Sequence, residues 1–339
     1  MEKKFFLVPF LLLIPLLSFA VQIKIMSFNV CSAVTWKNES FQEWLQVFSK
    51  IKMKSNADII LLQEVKGDVF LEQIKNKLGG NWRYFSTHSY SLKEKKIFGD
   101  ENFSKCNENL NNAIFYNTEK LSGKDLAQRF NFTDFENSKY KHDKNNMQVV
   151  EFTVRNENNN TINKPKKLYV VNVHLPSDEN GRMIPNSKHL KYLLTVKIVL
   201  TTISQLSRES AVIAGGDFNY GTLILQSDSL VRDLWLPEAK FLPNWTVDNG
   251  KIIGNSLDEK YIQEICTTVP RKITNISYPM DHFIYNDNIK NKIIEKMQLV
   301  TMRDNQKFIH IDSRTRIFCE EWHRTVSDHL PISISFEIN

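Results

Sequence analysis

Four segments of the chain share one pattern, an apolar run rich in Val and Ile that stops at a polar residue able to hold a metal or a proton. They are VQIKIMSFN ending at Asn29, ADIILLQE ending at Glu64, KLYVVNVH ending at His174, and AVIAGGDFN ending at Asp217 and Asn219. The last three are almost continuously apolar, which marks strands covered on both faces. Helical patterns lie between them. Ser40-Phe41-Gln42-Glu43 reads as a capping box, and Phe41, Trp44, Leu45 and Phe48 follow the spacing of one buried helix face. Val196, Val199, Leu200 and Ile203 repeat that spacing within residues 187–206. Both stripes are read as core. Further strands are expected at 112–117, 148–154, 282–286 and 330–337, so the fold class is α/β with mixed sheets. The long polar stretches 93–109, 139–146 and 156–167 are read as loops, and no internal repeat is present.

Before the first strand stands a different pattern. Lys3 and Lys4, an apolar run from Phe5 to Leu17, and Ser18-Phe19-Ala20 have the anatomy of a secretory signal peptide. The run falls short of the ~20 residues that span a bilayer, so residues 1–20 are expected to be removed and the protein secreted. In that compartment Cys31, Cys106, Cys266 and Cys319 allow one or two disulfides, with the pairing open and no zinc spacing among them. Asn38, Asn102, Asn131, Asn159, Asn244 and Asn275 begin glycosylation sequons, which matter only in a eukaryotic pathway.

Composition changes the picture in one respect. A net charge of +6 and a pI near 8.9 suit a polyanionic partner, and SLKEKK and KYKHDK are loops able to touch phosphates.

Strand-end polar residues gather on one rim when strands lie side by side, and α/β sheets bind ligands at such rims. Singly each has an ordinary structural role: Asn29 a turn cap, Glu64 an exposed strand-end acid, His174 a hydrogen-bonded core histidine. Jointly they point to a site. Asp217 and Asn219, two apart in extended backbone, project to the same side. Gly215 and Gly216 leave room for a phosphate or another backbone. Near the end, SDHLPI adds Asp328 and His329.

The set SFN (Asn29), LLQEV (Glu64), VNVHLPS (His174), GGDFN (Asp217, Asn219), PMDHFIY (Asp281) and SDHLPI (Asp328, His329) resembles the endonuclease/exonuclease/phosphatase superfamily, the deoxyribonuclease I-like fold. It runs in that family's order from Asn29 to the last strand. The resemblance implies a four-layer sandwich, two mixed sheets face to face with helices outside, and a single domain over 21–339 whose two ends meet. It implies a metal-dependent phosphodiesterase, which the leader would make a secreted one. Glu64 would bind Mg²⁺, with Mn²⁺ or Ca²⁺ as alternatives, and Asn29 and Asp328 would stand nearby. Asp217 and Asn219 would contact the phosphate and attacking water. Asp281 would fix the tautomer of His329 so that the pair acts as general base, and His174 would stabilise or protonate the other side of the phosphate. Carboxylates for a hard cation plus two histidines are what this chemistry needs, and no covalent nucleophile is indicated.

Departures from the family pattern are specific. His282 follows Asp281 where relatives often carry Arg or Tyr. Glu108 is the nearest candidate for an acid partnering His174. Lys144-Asn145-Asn146 stands where DNA-cutting relatives tend to have an arginine, and lysine keeps the charge but loses the bidentate fork. His174 itself argues against abasic-site repair, where a tyrosine is common. The basic charge and the loops SLKEKK and KYKHDK make nucleic acid the expected substrate. A sphingomyelinase or phosphoinositide phosphatase acting on a phospholipid head group, with Trp235, Trp245 and the residues between as membrane contact, is the alternative. A toxin-subunit-like binding relative is a third reading, and no stable protein partner is expected.

Overall fold

The computed structural model describes residues 20–30, 38–65, 67–87, 111–126, 147–155, 166–175, 202, 205–206, 210–219, 245–248, 251–254, 281–290, 292–300, 327, 329 and 331–338. In chain order they form β1 (Val21–Asn29), α1 (Asn38–Ser55), β2 (Ile59–Val65), α2 (Gly67–Leu78), β3 (Trp82–Ser86), β4 (Asn111–Asn117), β5 (Leu121–Asp125) and β6 (Met147–Val154). There follow β7 (Lys166–His174), β8 (Ala211–Asp217), β9 (Trp245–Asp248), β10 (Lys251–Gly254), β11 (Asp281–Tyr285), α3 (Asp287–Lys290), β12 (Ile293–Leu299) and β13 (Ile332–Ile338).

Two mixed sheets carry the architecture. One has the order β12-β13-β1-β2-β4-β3 and the other β11-β8-β7-β6-β5, while β9 and β10 form a separate hairpin. Within the sheets β1 and β2 are parallel, as are β7 and β8; the remaining neighbours are antiparallel. The first and last strands are partners, Val21 opposite Ile338 and Ser27 opposite Ile332.

Alternation along each strand sorts side chains into two cores. Ile23 and Ile25 of β1, Ile59 and Leu61 of β2, and Ile114 and Tyr116 of β4 pack against Val150, Phe152, Leu168, Val170, Ile213 and Phe283 of the facing sheet. The other parity, Met26, Phe28, Ile60, Leu62, Ala113 and Phe115, packs against Trp44, Phe48, Ile51, Leu71 and Ile74 of α1 and α2. The expected stripe Phe41, Trp44, Leu45 and Phe48 is the buried face of α1, with Trp44 stacked on Phe48. Strands of the second sheet are buried on the outward parity as well, through Val171, Val173, Val212 and Ala214. That explains their continuous apolar runs.

Several boundaries move. Helix α1 begins at Asn38, so Ser40 lies within its first turn and is not the residue that starts it. Expected strands become β4, β6, β11 and β13 with shifts of one or two residues. Helices α2 and α3 and strands β3, β5, β9, β10 and β12 are additions. The helix expected at 187–206 lies outside the described residues save 202, 205 and 206. Outside them too are the leader at 1–19, the four cysteines, Glu108, Lys144 to Asn146, Asp328, Trp235, the polar loops at 93–109 and 139–146, and 156–165 of the third.

Candidate active site

The face between the sheets is apolar over most of its length and turns polar in its last positions. Along β1 the inner parity runs Ile23, Ile25, Ser27, Asn29; along β7 it runs Leu168, Val170, Asn172, His174; along β8 it runs Ile213, Gly215, Asp217. Parallel pairing aligns these ends, with Asn29 opposite Gln63 and His174 opposite Asp217. Strand β11 runs the other way, so its first residue, Asp281, lies on the same rim, directly opposite Asp217. The approach to β13 brings His329 there by the same logic.

One amide joins the sheets at the centre of this cluster. The Asn29 Nδ2 donates to Oε1 of Glu64 at 3.1 Å and to Oδ2 of Asp217 at 2.9 Å. His174 Nε2 lies 3.7 Å from Glu64 Oε1 and 3.8 Å from Asp217 Oδ2. On the other side, His329 Nδ1 is 2.8 Å from Oδ2 of Asp281, and its Nε2 is 3.5 Å from Oδ2 of Asp217. With Asp281 ionised, its carboxylate can only accept, and the contact then takes the Nδ1 hydrogen of His329 as its donor. Asn29, Glu64, His174, Asp217, Asp281 and His329 are thus brought together. Asp328 lies outside the described residues.

Asn219 corrects one expectation. Extended backbone ends at Asp217, and Asn219 has a φ of 50°, a left-handed turn that Asn tolerates well. Its N–H donates to Oδ1 of Asp217 at 2.7 Å and its Nδ2 to the Leu175 carbonyl at 2.7 Å. Asn219 therefore folds back beside Asp217, where parallel projection was expected. The glycines also find a specific use. A Cβ on Gly216, whose φ is 150°, would lie 1.8 Å from the Val173 carbonyl oxygen, so the close approach it permits is that of β7, whereas a Cβ on Gly215 would meet the Phe283 ring at 2.5 Å.

Sequence reasoning left Ser327 without a role. Its Oγ donates to the Asn29 carbonyl at 2.7 Å and accepts from the His329 N–H at 3.1 Å, which ties the end of β1 to His329. The signal for it was its place in SDHLPI. Gln63 and Asn172 carry a comparable signal, being polar residues inside otherwise apolar runs.

Three carboxylates and two imidazoles in one cluster form a donor set for a divalent cation. Ligand atoms of Asp217, Asp281 and His329 lie within 4.8 Å of one another. A cation seated there would compete with the bond between Asp281 and His329, in a place where the Asp217 side chain is 1% exposed. The Glu64 side chain, 23% exposed, is open to solvent. Mg²⁺ retains several waters and takes one or two carboxylates, which favours Glu64.

No family model matches the sequence, and no curated protein does. Solved structures do match. The catalytic domain of Xenopus laevis APE2 is 14% identical with a TM-score of 0.54, covering 93% of each chain. An endonuclease/exonuclease/phosphatase family protein from Bacteroides thetaiotaomicron is 11% identical with a TM-score of 0.52, covering 95% of this chain and 96% of that one. A humanized D. rerio TDP2 is 13% identical with a TM-score of 0.51, covering 93% of this chain and 98% of that one. The two mixed sheets, the rim at their polar end and these likenesses over nearly whole chains give the protein the fold of the endonuclease/exonuclease/phosphatase superfamily, the deoxyribonuclease I-like sandwich.

Proposed function

We propose that the protein is a metal-dependent phosphodiester hydrolase acting on nucleic acid. The observation that carries this reading is the convergence of Asn29, Glu64, His174, Asp217, Asp281 and His329 on one rim between the sheets. Glu64 would hold the cation, with Asn29 beside it and Asp328, next to His329 in sequence, as a further ligand in this reading. When bound, a divalent cation offsets charge on the phosphoryl oxygens. The bond to Asp281 keeps the Nδ1 hydrogen of His329 in place and leaves Nε2 to take a proton from the attacking water. Asp217 and Asn219 orient that water and the phosphate. His174, across the cluster, protonates the leaving alkoxide, so water and phosphodiester become a phosphomonoester and an alcohol.

The positive net charge supports nucleic acid as the polyanion. Secretion follows in this reading from the leader; β1 begins at Val21, so cleavage near Ala20 would spare every residue of the sheet. Residues 21–339 then form one domain, a reading supported by the pairing of β1 with β13.

The test uses the protein lacking residues 1–20, incubated with plasmid DNA, RNA or sphingomyelin liposomes, with Mg²⁺ or EDTA, alongside His329→Ala. Metal-dependent plasmid or RNA cleavage that disappears in the variant is expected. Lipid turnover without cleavage of either nucleic acid would replace nucleic acid by a phospholipid head group, and inactivity on all three would overturn hydrolysis of these substrates.

A further inference from the structure

Strand β2 pairs with β4 at Leu62 and Ala113 and again at Val65 and Asn111, so Gln63 and Glu64 together face the single residue Asn112. An extra residue of this kind is a bulge, which bends the strand and shifts its alternation. Ile59 and Leu61 point between the sheets, and Ile60 and Leu62 point toward the helices. An unbroken pleat would send Glu64 toward the helices, away from Asn29 and His174. Instead Glu64 adopts a φ of 56° and its carboxylate reaches the Asn29 amide. The left-handed region is unfavourable for a residue with a side chain, so the conformation persists only where the surroundings enforce it.

The enforcing contacts come from Asn172, fully buried on β7 in the opposite sheet. Its Nδ2 donates to the Leu62 carbonyl at 2.9 Å and the Ala113 carbonyl at 3.0 Å, the last pair before the break. Its Oδ1 accepts from Gln63 Nε2 at 2.7 Å, and its backbone carbonyl accepts from Asn112 Nδ2 at 3.3 Å. Asn172 therefore bonds to four residues around the break, and it stands two residues before His174. We infer that Asn172 is a positioning residue, whose amide clamps the β2 bulge across the sheets and so aims the Glu64 carboxylate into the site.

Only an amide fits this place. A carboxylate would lack the Nδ2 donor, and an aliphatic side chain would lack both halves. Stability alone does not account for the arrangement. Among the described residues, Gln63 Oε1 and Asn112 Oδ1 are buried without a hydrogen-bond partner, a cost that apolar packing between the sheets would not incur.

The kinetic consequences rest on the metal-dependent reading above; the clamp itself does not. The experiment compares the full chain with Asn172→Asp by Mn²⁺ binding in electron paramagnetic resonance, steady-state kinetics and backbone hydrogen exchange. A folded variant is expected to bind Mn²⁺ about tenfold or more weakly, as when the partners of metal ligands are removed. It should lose kcat by about tenfold with KM changed less than about threefold, and exchange faster at Glu64 and Val65. Mn²⁺ binding within about twofold of wild type, with exchange at Glu64 unchanged, overturns the proposal. Should that variant not fold, the wild type decides: the Asn172 side-chain amide hydrogens must exchange slowly, and exchange at the rate of a solvated amide overturns the clamp. A wild type that neither binds Mn²⁺ nor cleaves phosphodiesters sinks the functional reading, and exchange at Glu64 in Asn172→Asp then decides the clamp alone.

Discussion

At the scale of single residues, the contact between Asp281 and His329 separates orientation from folding. Asp281 is completely buried at the start of β11, and its Oδ2 is 2.8 Å from Nδ1 of His329. Replacing it by Asn keeps volume and shape but removes the charge and offers an amide hydrogen where an acceptor is needed. The imidazole is then free to present the wrong nitrogen to the water. We expect Asp281→Asn to lower kcat by roughly 10²-fold or more, the scale of a general base, while the melting temperature moves by less than about 4 °C. Thermal melting and kinetics on the same preparation check both halves. Wild-type turnover in a folded variant would show that the pair does not carry the proton.

At the scale of elements, what the sequence revealed and what it hid have separate causes. Strands β2, β7 and β8 were legible because burial on both faces leaves a continuous apolar run, and the chemistry stands where each run stops. Edge strands β3 (WRYFS) and β5 (LSGKD) were not, since a short partly wet edge has the composition of a loop. The bulge in β2 was hidden because Glu64 takes a positive φ without a glycine to announce it. The turn at Asn219 was hidden for a similar reason, as Asp217 and Asn219 read naturally as extended. Gly216 is the reverse case, a glycine read correctly as a close approach. Its test belongs to the β7 and β8 pair: a Cβ there would lie 1.8 Å from the Val173 carbonyl oxygen, and the φ of 150° disfavours any L side chain. Gly216→Ala should therefore cost about 3 kcal/mol or more of stability, measured by denaturant titration. A loss under about 0.5 kcal/mol would mean that the two strands part without penalty.

At the scale of the whole molecule, the chain closes on itself through its last strand. Strand β13 lies between β1 and β12, so removing it separates β12 from the rest of its sheet and strips seven paired residues, Val21 to Ser27, from β1. It also supplies Ile332, Ile334, Phe336 and Ile338 to the core between the sheets. Burying each such side chain contributes roughly 1.5–3 kcal/mol, and four together rival the ~5–15 kcal/mol of net stability typical of a domain. The approach to β13 carries Ser327 and His329, whose bonds to the end of β1 and to Asp281 reach both sheets. Folding and the site thus depend on the same thirteen-residue end of the chain, residues 327–339. A chain ending at residue 326 should show no cooperative thermal transition by circular dichroism, in contrast to the sharp transition expected of the full chain. A cooperative transition in the shortened chain would mean that the first sheet closes without β13, and that the N-terminal strands form a folding unit of their own.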